Sequence, residues 1–278
     1  MRLAVTGASG KVGGEVARLL ARAGAQPRLV VRDARRAPDL PGTEVAQAHF
    51  SDATACQAAF TGVDVLLLVS AGESADRVQQ HRTAIASAAS AGVGHVVYTS
   101  FLGAAAEAEF TLARDHGATE DLLRDSGMTW TFLRDSFYAD VLLDFAGADH
   151  VIRGPGADGR CAYVARADVA AAAAAILRDP APWAGRTLDL TGPTALTLAE
   201  AVEIMTTSRG EEYSYVDETL EEARASRAPY GVPDWQVEAW ISTYTAIASG
   251  QLDVVSGDLA AVLGRAPRPL SEVAAAPL

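Results

Sequence analysis

Residues 2–24 read Arg-Leu-Ala-Val-Thr-Gly-Ala-Ser-Gly-Lys-Val-Gly-Gly-Glu-Val-Ala-Arg-Leu-Leu-Ala-Arg-Ala-Gly, with glycines at positions 7, 10 and 13. A short apolar run, three glycines at three-residue spacing and an amphipathic segment read as strand, tight turn and helix, the arrangement that sets a phosphate on a helix N-terminus. Each glycine has a physical job. Gly7 supplies the positive φ of the turn, Gly10 has no Cβ to hold a pyrophosphate away from the backbone N–H groups, and Gly13 lets the helix lie close against the strand. The stretch predicts a dinucleotide site formed by Thr6, Gly7, Ser9, Gly10, Lys11, Val12 and Gly13.

Outward from this turn, strands and helices alternate. Residues 28–32 and 44–50 read as the second and third strands, and Asp52 caps a helix reaching Phe60. Residues 62–70 hold a continuous apolar run of the kind covered on both faces of a parallel sheet. A helix over 75–91, a strand over 93–100, a helix over 114–125 and a strand over 128–133 continue the pattern. Such alternation implies right-handed crossovers and an α/β fold, a Rossmann-type doubly wound parallel sheet. Ligands then sit at the carboxyl ends of strands, where Gly7, Arg32, Ser70 and Ser100 fall.

Beyond about residue 146 the alternation becomes irregular, with a Gly/Pro loop over 154–159, Asp168 as the expected N-cap of an alanine-rich helix and a turn over 180–185. Short strands are expected at 187–190 and 213–216, with helices at 198–208, 218–226 and 233–249. The expected organisation is a dinucleotide-binding core over 1–150 and a smaller C-terminal α/β lobe over 151–278, packed as one unit.

Composition narrows the function. A formal net charge of −12 across 278 residues repels nucleic-acid phosphates over most of the surface. Two cysteines, Cys56 and Cys161, are too few for a disulfide framework and lack zinc spacing, so both are expected as buried, inert thiols. Strand formation begins at Arg2 with no leader pattern ahead of it, and no apolar run reaches the roughly 20 residues that span a bilayer. The expectation is a soluble cytoplasmic protein without a membrane or nucleic-acid partner, its oligomeric state open.

Several stretches carry a resemblance. Thr6-Gly-Ala-Ser-Gly-Lys-Val-Gly13, Leu66-Leu-Leu-Val-Ser70 with Gln80-His81-Arg82, Tyr98-Thr99-Ser100, His116-Gly-Ala-Thr-Glu120, Leu133-Arg134 with Phe137-Tyr138, and Ala165-Arg-Ala-Asp168 are among them. Ser249-Gly-Gln and Leu263-Gly-Arg265 add a match near the C-terminus. Together they resemble the NmrA-like atypical short-chain dehydrogenase/reductase family over nearly the whole chain, and within it the NAD(P)H:quinone oxidoreductase type 2 branch. The resemblance implies a nicotinamide cofactor also contacted by Ser70, Ala71, Thr99 and Asp135, and a small quinonoid or aromatic substrate. Two positions depart from that branch: His49 stands where it carries an Asp, and Asp135 where it carries an Asn.

Charge at the end of the second strand sets the cofactor expectation. An NAD-preferring chain places an acid there for the ribose hydroxyls, whereas the Arg32 guanidinium suits a 2′-phosphate, and Arg35 and Arg36 add positive potential. NADP(H) is the expected cofactor, and Asp33 keeps NAD(H) open.

The usual short-chain dehydrogenase pair, a Tyr with a Lys four residues on, is absent: His116 takes the family's Lys position and Leu112 lies four residues earlier. Alcohol oxidation by that route is therefore not expected. A quinone needs less, because hydride transfer yields a hydroquinone anion with delocalised charge. Ser100, His116 and Tyr138 are the candidate catalytic donors. The structural alternatives are a backbone-bonded strand end for Ser100, core packing for Tyr138 and a solvated helix position for His116, whose functional reading is a ribose or substrate contact. The leading expectation is an NADPH-dependent oxidoreductase acting by direct hydride transfer. The alternatives are a tailoring enzyme of aromatic polyketides, reducing or oxygenating a ring, and a non-catalytic dinucleotide sensor. His49, His81, His95 and His150 show no metal-ligand spacing, so no metal is expected. Trp235 and Trp240 with Tyr230 and Tyr244 are read as core packing, with an aromatic pocket wall as the alternative.

Overall fold

The computed structural model describes residues 1–276. In chain order the first elements are β1 (Leu3–Thr6), α1 (Lys11–Arg22), β2 (Arg28–Val31), β3 (Val45–Gln47), α2 (Ala53–Phe60), β4 (Val65–Leu68), α3 (Arg77–Ser90) and β5 (His95–Phe101). There follow α4 (Thr111–Arg124), β6 (Thr129–Asp135), α5 (Ala139–Phe145), β7 (Val151–Gly154), α6 (Arg166–Arg178) and β8 (Arg186–Leu190). The remainder comprises α7 (Leu198–Arg209), β9 (Ser214–Asp217), α8 (Leu220–Arg227), α9 (Asp234–Ala248), α10 (Asp258–Leu263) and α11 (Leu270–Ala275).

Seven strands form one sheet in the order β3-β2-β1-β4-β5-β6-β8, with β1–β2, β1–β4, β2–β3 and β4–β5 parallel. β1 is flanked by β2 on one side and β4 on the other, so the winding reverses beside it. That reversal opens a crevice at the carboxyl ends of β1 and β4, the place where doubly wound sheets bind ligands. The expected Rossmann-type sheet is what forms.

The residues fall into two compact units, Met1–Ser100 with Asp115–Arg134 and Ala167–Leu188, and Phe101–Arg114 with Asp135–Arg166 and Asp189–Leu278. The chain crosses between them repeatedly, where the sequence suggested one boundary after residue 150.

In the first unit the central strands are buried on both faces: all four residues of β1, all four of β4 and β5 from His95 to Ser100. This is why they read as unbroken apolar runs rather than alternating ones. Val16, Ala17 and Leu20 turn one face of α1 inward, and Phe60, Leu66, Tyr98, Leu123 and Phe132 belong to the core of this unit. Strand β3 is shorter than expected. Ala48, His49 and Phe50 leave it to line a cleft.

The second unit holds a two-stranded parallel pair, β7 with β9, of which only the second strand was expected. Its core gathers Ile152, Leu198, Val202, Met205, Tyr244 and Ile247, with Phe101, Phe110 and Phe137 mutually 4.8–5.1 Å apart by ring centroid. α7 and α8 each open on a capping box, Thr197 with Glu200 and Thr219 with Glu222, which satisfies two backbone donors reciprocally. Asp168 does not cap α6. The helix begins two residues earlier, and the Arg166 N–H is accepted by the Asp140 carboxylate at 2.9 Å, so the cap comes from α5 and Asp168 sits inside the first turn. The four aromatic residues expected as a group divide: Tyr244 is core, Tyr230 and Trp240 meet edge-on at 5.6 Å, and Tyr230 and Trp235 remain exposed.

Candidate functional site

The cleft in the first unit is lined by Gly7, Ser9, Gly10, Val30, Val31, Arg32, Arg36, Ala48, His49, Phe50, residues 69–74 and Gln80, and has a volume of about 480 Å³. Its floor is the glycine turn. Gly7 adopts φ 59°, and the Gly10 N–H closes the turn on the Gly7 carbonyl at 2.8 Å. A Cβ at Gly13 would stand 2.5 Å from the Gly7 oxygen and 2.7 Å from the Thr6 oxygen, so only glycine allows α1 to start this close to β1.

No side chain caps α1, whose N-cap is Gly10, and its first turn carries no acid. The N–H groups of Lys11, Val12 and Gly13 therefore lack intrahelical acceptors and present the positive end of the helix dipole. The turn fits a pyrophosphate on three counts: glycine where a Cβ would clash, an uncapped helix start, and open volume beside it. Thr6 serves otherwise. Fully buried, it donates from Oγ1 to the Leu67 carbonyl (3.0 Å) and accepts from the Val69 N–H (2.8 Å), tying β1 to the end of β4.

The basic residues after β2 separate by role. Arg35 folds back on Asp33, with Nη2 to Oδ2 at 2.9 Å and Nε to Oδ1 at 3.0 Å, and its hydrogen bonds hold the Asp33 carboxyl below the usual range. Asp33 is thereby occupied, and Arg35 does not line the cleft. Arg32 and Arg36 do line it, are exposed, and make no ion pair among the described residues. Two cations without partners therefore face the space beyond the glycine turn. His49 stands with them, its Nδ1 accepting from the Ser51 N–H at 3.2 Å.

The opposite wall is the segment after β4. Ser70 and Ala71 reach the cleft as expected, whereas Thr99 is buried behind it and receives the Ser70 N–H on Oγ1 at 2.9 Å.

Two of the three expected proton donors lie in the interior of the same unit. Ser100 donates to Glu120 Oε1 at 2.6 Å. Glu120, fully buried, is also held by Arg134 through both oxygens (2.7 and 2.8 Å) and by Arg124 (2.8 Å). His116 is 6% exposed, which removes the solvated alternative. Arg77 Nη2 donates to its Nε2 at 2.9 Å and Tyr98 Oη meets its Nδ1 at 2.9 Å. Burial, then the nearby Arg77 charge, pushes its pKa well below that of a free imidazole, so it is a neutral bridge.

Asp135 and Tyr138 belong to the second unit. The half-buried Tyr138 donates from its hydroxyl to Asp135 Oδ2 at 2.6 Å, and the Arg166 guanidinium lies 5.4 Å over the Tyr138 ring. Asp135 is 2% exposed, and its Oδ1 has no hydrogen-bond partner. Burial outweighs the Tyr138 bond and raises its pKa to about 8, so the carboxyl is largely neutral at pH 7. Cys56 and Cys161 are buried with thiol pKa values raised to about 11 and about 12 by desolvation, as expected of inert cysteines. Among the described residues, no cluster of three His, Cys, Asp or Glu residues could hold a metal ion, and no helix is long and apolar enough to cross a membrane.

The match to known proteins agrees with this geometry. Residues 7–180 match the model of a family described as NAD(P)H-binding. Quinone oxidoreductase 2 of Escherichia coli (strain K12) is 33% identical over 277 residues, covering 97% of this chain and 96% of that one. The chain belongs to the NmrA-like, NAD(P)H-binding family. A second member, the NAD(P)H azoreductase of Xenophilus azovorans, is 31% identical over 98% of this chain and 96% of its own. The crystal structure of the E. coli NADPH-dependent quinone oxidoreductase in complex with NADPH superimposes with a TM-score of 0.90, at 33% identity and 98% coverage of both chains.

Sequence reasoning did not assign roles to Phe50 in the cleft or to Arg77, His81 and Glu120 behind it. His81 and Glu120 stood inside the matched stretches, but nothing in a linear sequence distinguishes a buried polar bridge from a solvated helix residue.

Proposed function

We propose that this protein is an NADPH-dependent reductase that delivers a hydride directly to quinones or related flat aromatic acceptors. The observation that carries the cofactor half is the pair of unpartnered guanidiniums, Arg32 and Arg36, beside an uncapped helix start. A 2′-phosphate offers them the bidentate, charge-assisted bonds that a ribose hydroxyl cannot. The N–H groups of Lys11, Val12 and Gly13 take the pyrophosphate, with Phe50 and His49 walling the adenosine end. When bound, the cofactor supplies the hydride. The acceptor half is supported by kinship: the two relatives are named for quinone and azo reduction. Both are flat conjugated acceptors of two electrons.

The chain's own groups bind and orient rather than perform a tyrosine–lysine proton exchange. Ser100 and His116 are committed to buried partners and serve to hold the fold, and the Tyr138 hydroxyl is engaged by Asp135.

The test is NADPH oxidation against a panel of quinones and azo dyes with oxygen uptake followed in parallel. Turnover without oxygen uptake, favouring NADPH over NADH, is the expected result. Oxygen entering the product turns the reading to ring oxygenation. NADPH binding without any oxidation overturns the catalytic reading in favour of a dinucleotide-binding protein.

A further inference from the structure

Beyond Leu68, the last residue of β4, the chain leaves the sheet but its next three amides stay bonded. Three consecutive amides are each taken by a side chain from a different element: Val69 N–H by Thr6 Oγ1 of β1 (2.8 Å), Ser70 N–H by Thr99 Oγ1 of β5 (2.9 Å), and Ala71 N–H by His81 Nε2 of α3 (2.8 Å). The Ala71 carbonyl accepts from Arg77 Nε at 2.9 Å. These residues form one wall of the dinucleotide cleft.

The hydrogens in this arrangement have one consistent placement. An amide can only donate, so His81 Nε2 carries the lone pair and Nδ1 the proton. Nδ1 lies 2.8 Å from Thr119 Oγ1, whose own hydrogen goes to the Asp115 carbonyl at 2.7 Å. The imidazole is thus a neutral acceptor of defined tautomer, and α4 fixes it from behind. A protonated His81 would turn an N–H against the Ala71 N–H. Its pKa is lowered to about 3, first by burial and then by the Arg77 charge. Arg77, 4% exposed, is itself held by Asp115 at 3.3 Å and His116 at 2.9 Å.

From this geometry we infer that His81 is a positioning residue for the cofactor: with Arg77 and Thr119 behind it, it fixes the Ala71 peptide and so sets the shape of the cleft wall after β4. None of the three touches the cleft, so each acts through Ala71. His116, standing in the lysine's place, belongs to this brace through Arg77. The inference rests on the proposed NADPH site, but the brace itself can be observed without cofactor.

The experiment compares His81→Gln, whose amide oxygen can still accept from Ala71 N–H, with His81→Leu, which fills space but accepts nothing. Three readouts are taken: the NADPH dissociation constant by fluorescence, turnover at saturating NADPH, and amide exchange at Ala71 in the cofactor-free protein. His81→Leu is expected to weaken NADPH about tenfold, the scale of one buried unsatisfied donor, to lower saturated turnover much less, and to accelerate exchange at Ala71. His81→Gln is expected to recover most of the affinity and the protection. Unchanged affinity and exchange in His81→Leu, or a His81→Gln as defective as His81→Leu, would overturn the inference. Should His81→Leu fail to fold, Thr119→Val removes the acceptor of Nδ1–H without altering the imidazole; faster exchange at Ala71 supports the brace and unchanged exchange refutes it. A wild-type protein that binds no NADPH would sink the proposed function, while exchange at Ala71 would still judge the brace.

Discussion

Replacing Asp135 by Asn should flatten much of the protein's pH-dependence of stability. The carboxyl is 2% exposed, one oxygen accepts the Tyr138 hydroxyl, and the other has no partner, so burial raises its pKa from the ordinary carboxylate range to about 8. Because the folded-state pKa is raised, the group's contribution is fully present below the unfolded value near 4 and is lost as pH rises through 8. Over most of that window the native state holds one proton that the unfolded chain has released. The slope there is about 1.4 kcal/mol of stability lost per pH unit, and integration from pH 5 to pH 9 gives roughly 4 kcal/mol. Asparagine keeps an oxygen for Tyr138 and never ionises. Urea unfolding at pH 5, 7 and 9 should therefore show wild type and Asp135→Asn close together at pH 5 and the variant increasingly the more stable at pH 9. Parallel curves across this range would show that Asp135 is ionised in the native protein, and would remove burial as the controlling effect. The charged neighbour that could produce such an outcome is Arg166, stacked over the Tyr138 ring; Asp140 on α5, which accepts from the Arg166 backbone, acts in the opposite sense.

Two further outcomes follow from the cleft. Arg32→Ala and Arg36→Ala should each weaken NADPH about tenfold at low salt, the scale of one charge-assisted contact, and less at high salt because both groups are exposed; equal losses for NADH in fluorescence titrations would remove the 2′-phosphate from the argument. Gly13→Ala should cost about 1–3 kcal/mol or more, the range for overpacking, because its Cβ would meet two backbone oxygens that cannot yield. A thermal midpoint and NADPH affinity equal to wild type would show that α1 can shift without consequence.

The linear sequence determined the sheet and its cofactor end. Glycines at 7, 10 and 13 between a short, mostly apolar strand and an amphipathic helix marked the turn, and Arg32 advertises its charge at a strand end whatever surrounds it. Buried parallel strands are continuous apolar runs, so β4 and β5 were legible within a few residues. Helices were expected from 198 and 218, and α7 and α8 begin at Leu198 and Leu220, each on a Thr–Glu capping box. Tertiary structure decided what depends on which side chains meet. Arg35 and Arg36 are adjacent in sequence, yet one is spent on Asp33 and the other faces the cleft. Ser100 and His116 carry proton-donating chemistry as residue types, but Glu120, Arg77 and Tyr98, brought in from elsewhere along the chain, engage them in the interior. Asp168 looked like a cap until Asp140 supplied the carboxylate from another helix. Local backbone geometry is dictated by neighbours in sequence. The state of a polar side chain is dictated by neighbours in space, because burial and partners set whether it is charged, free or committed.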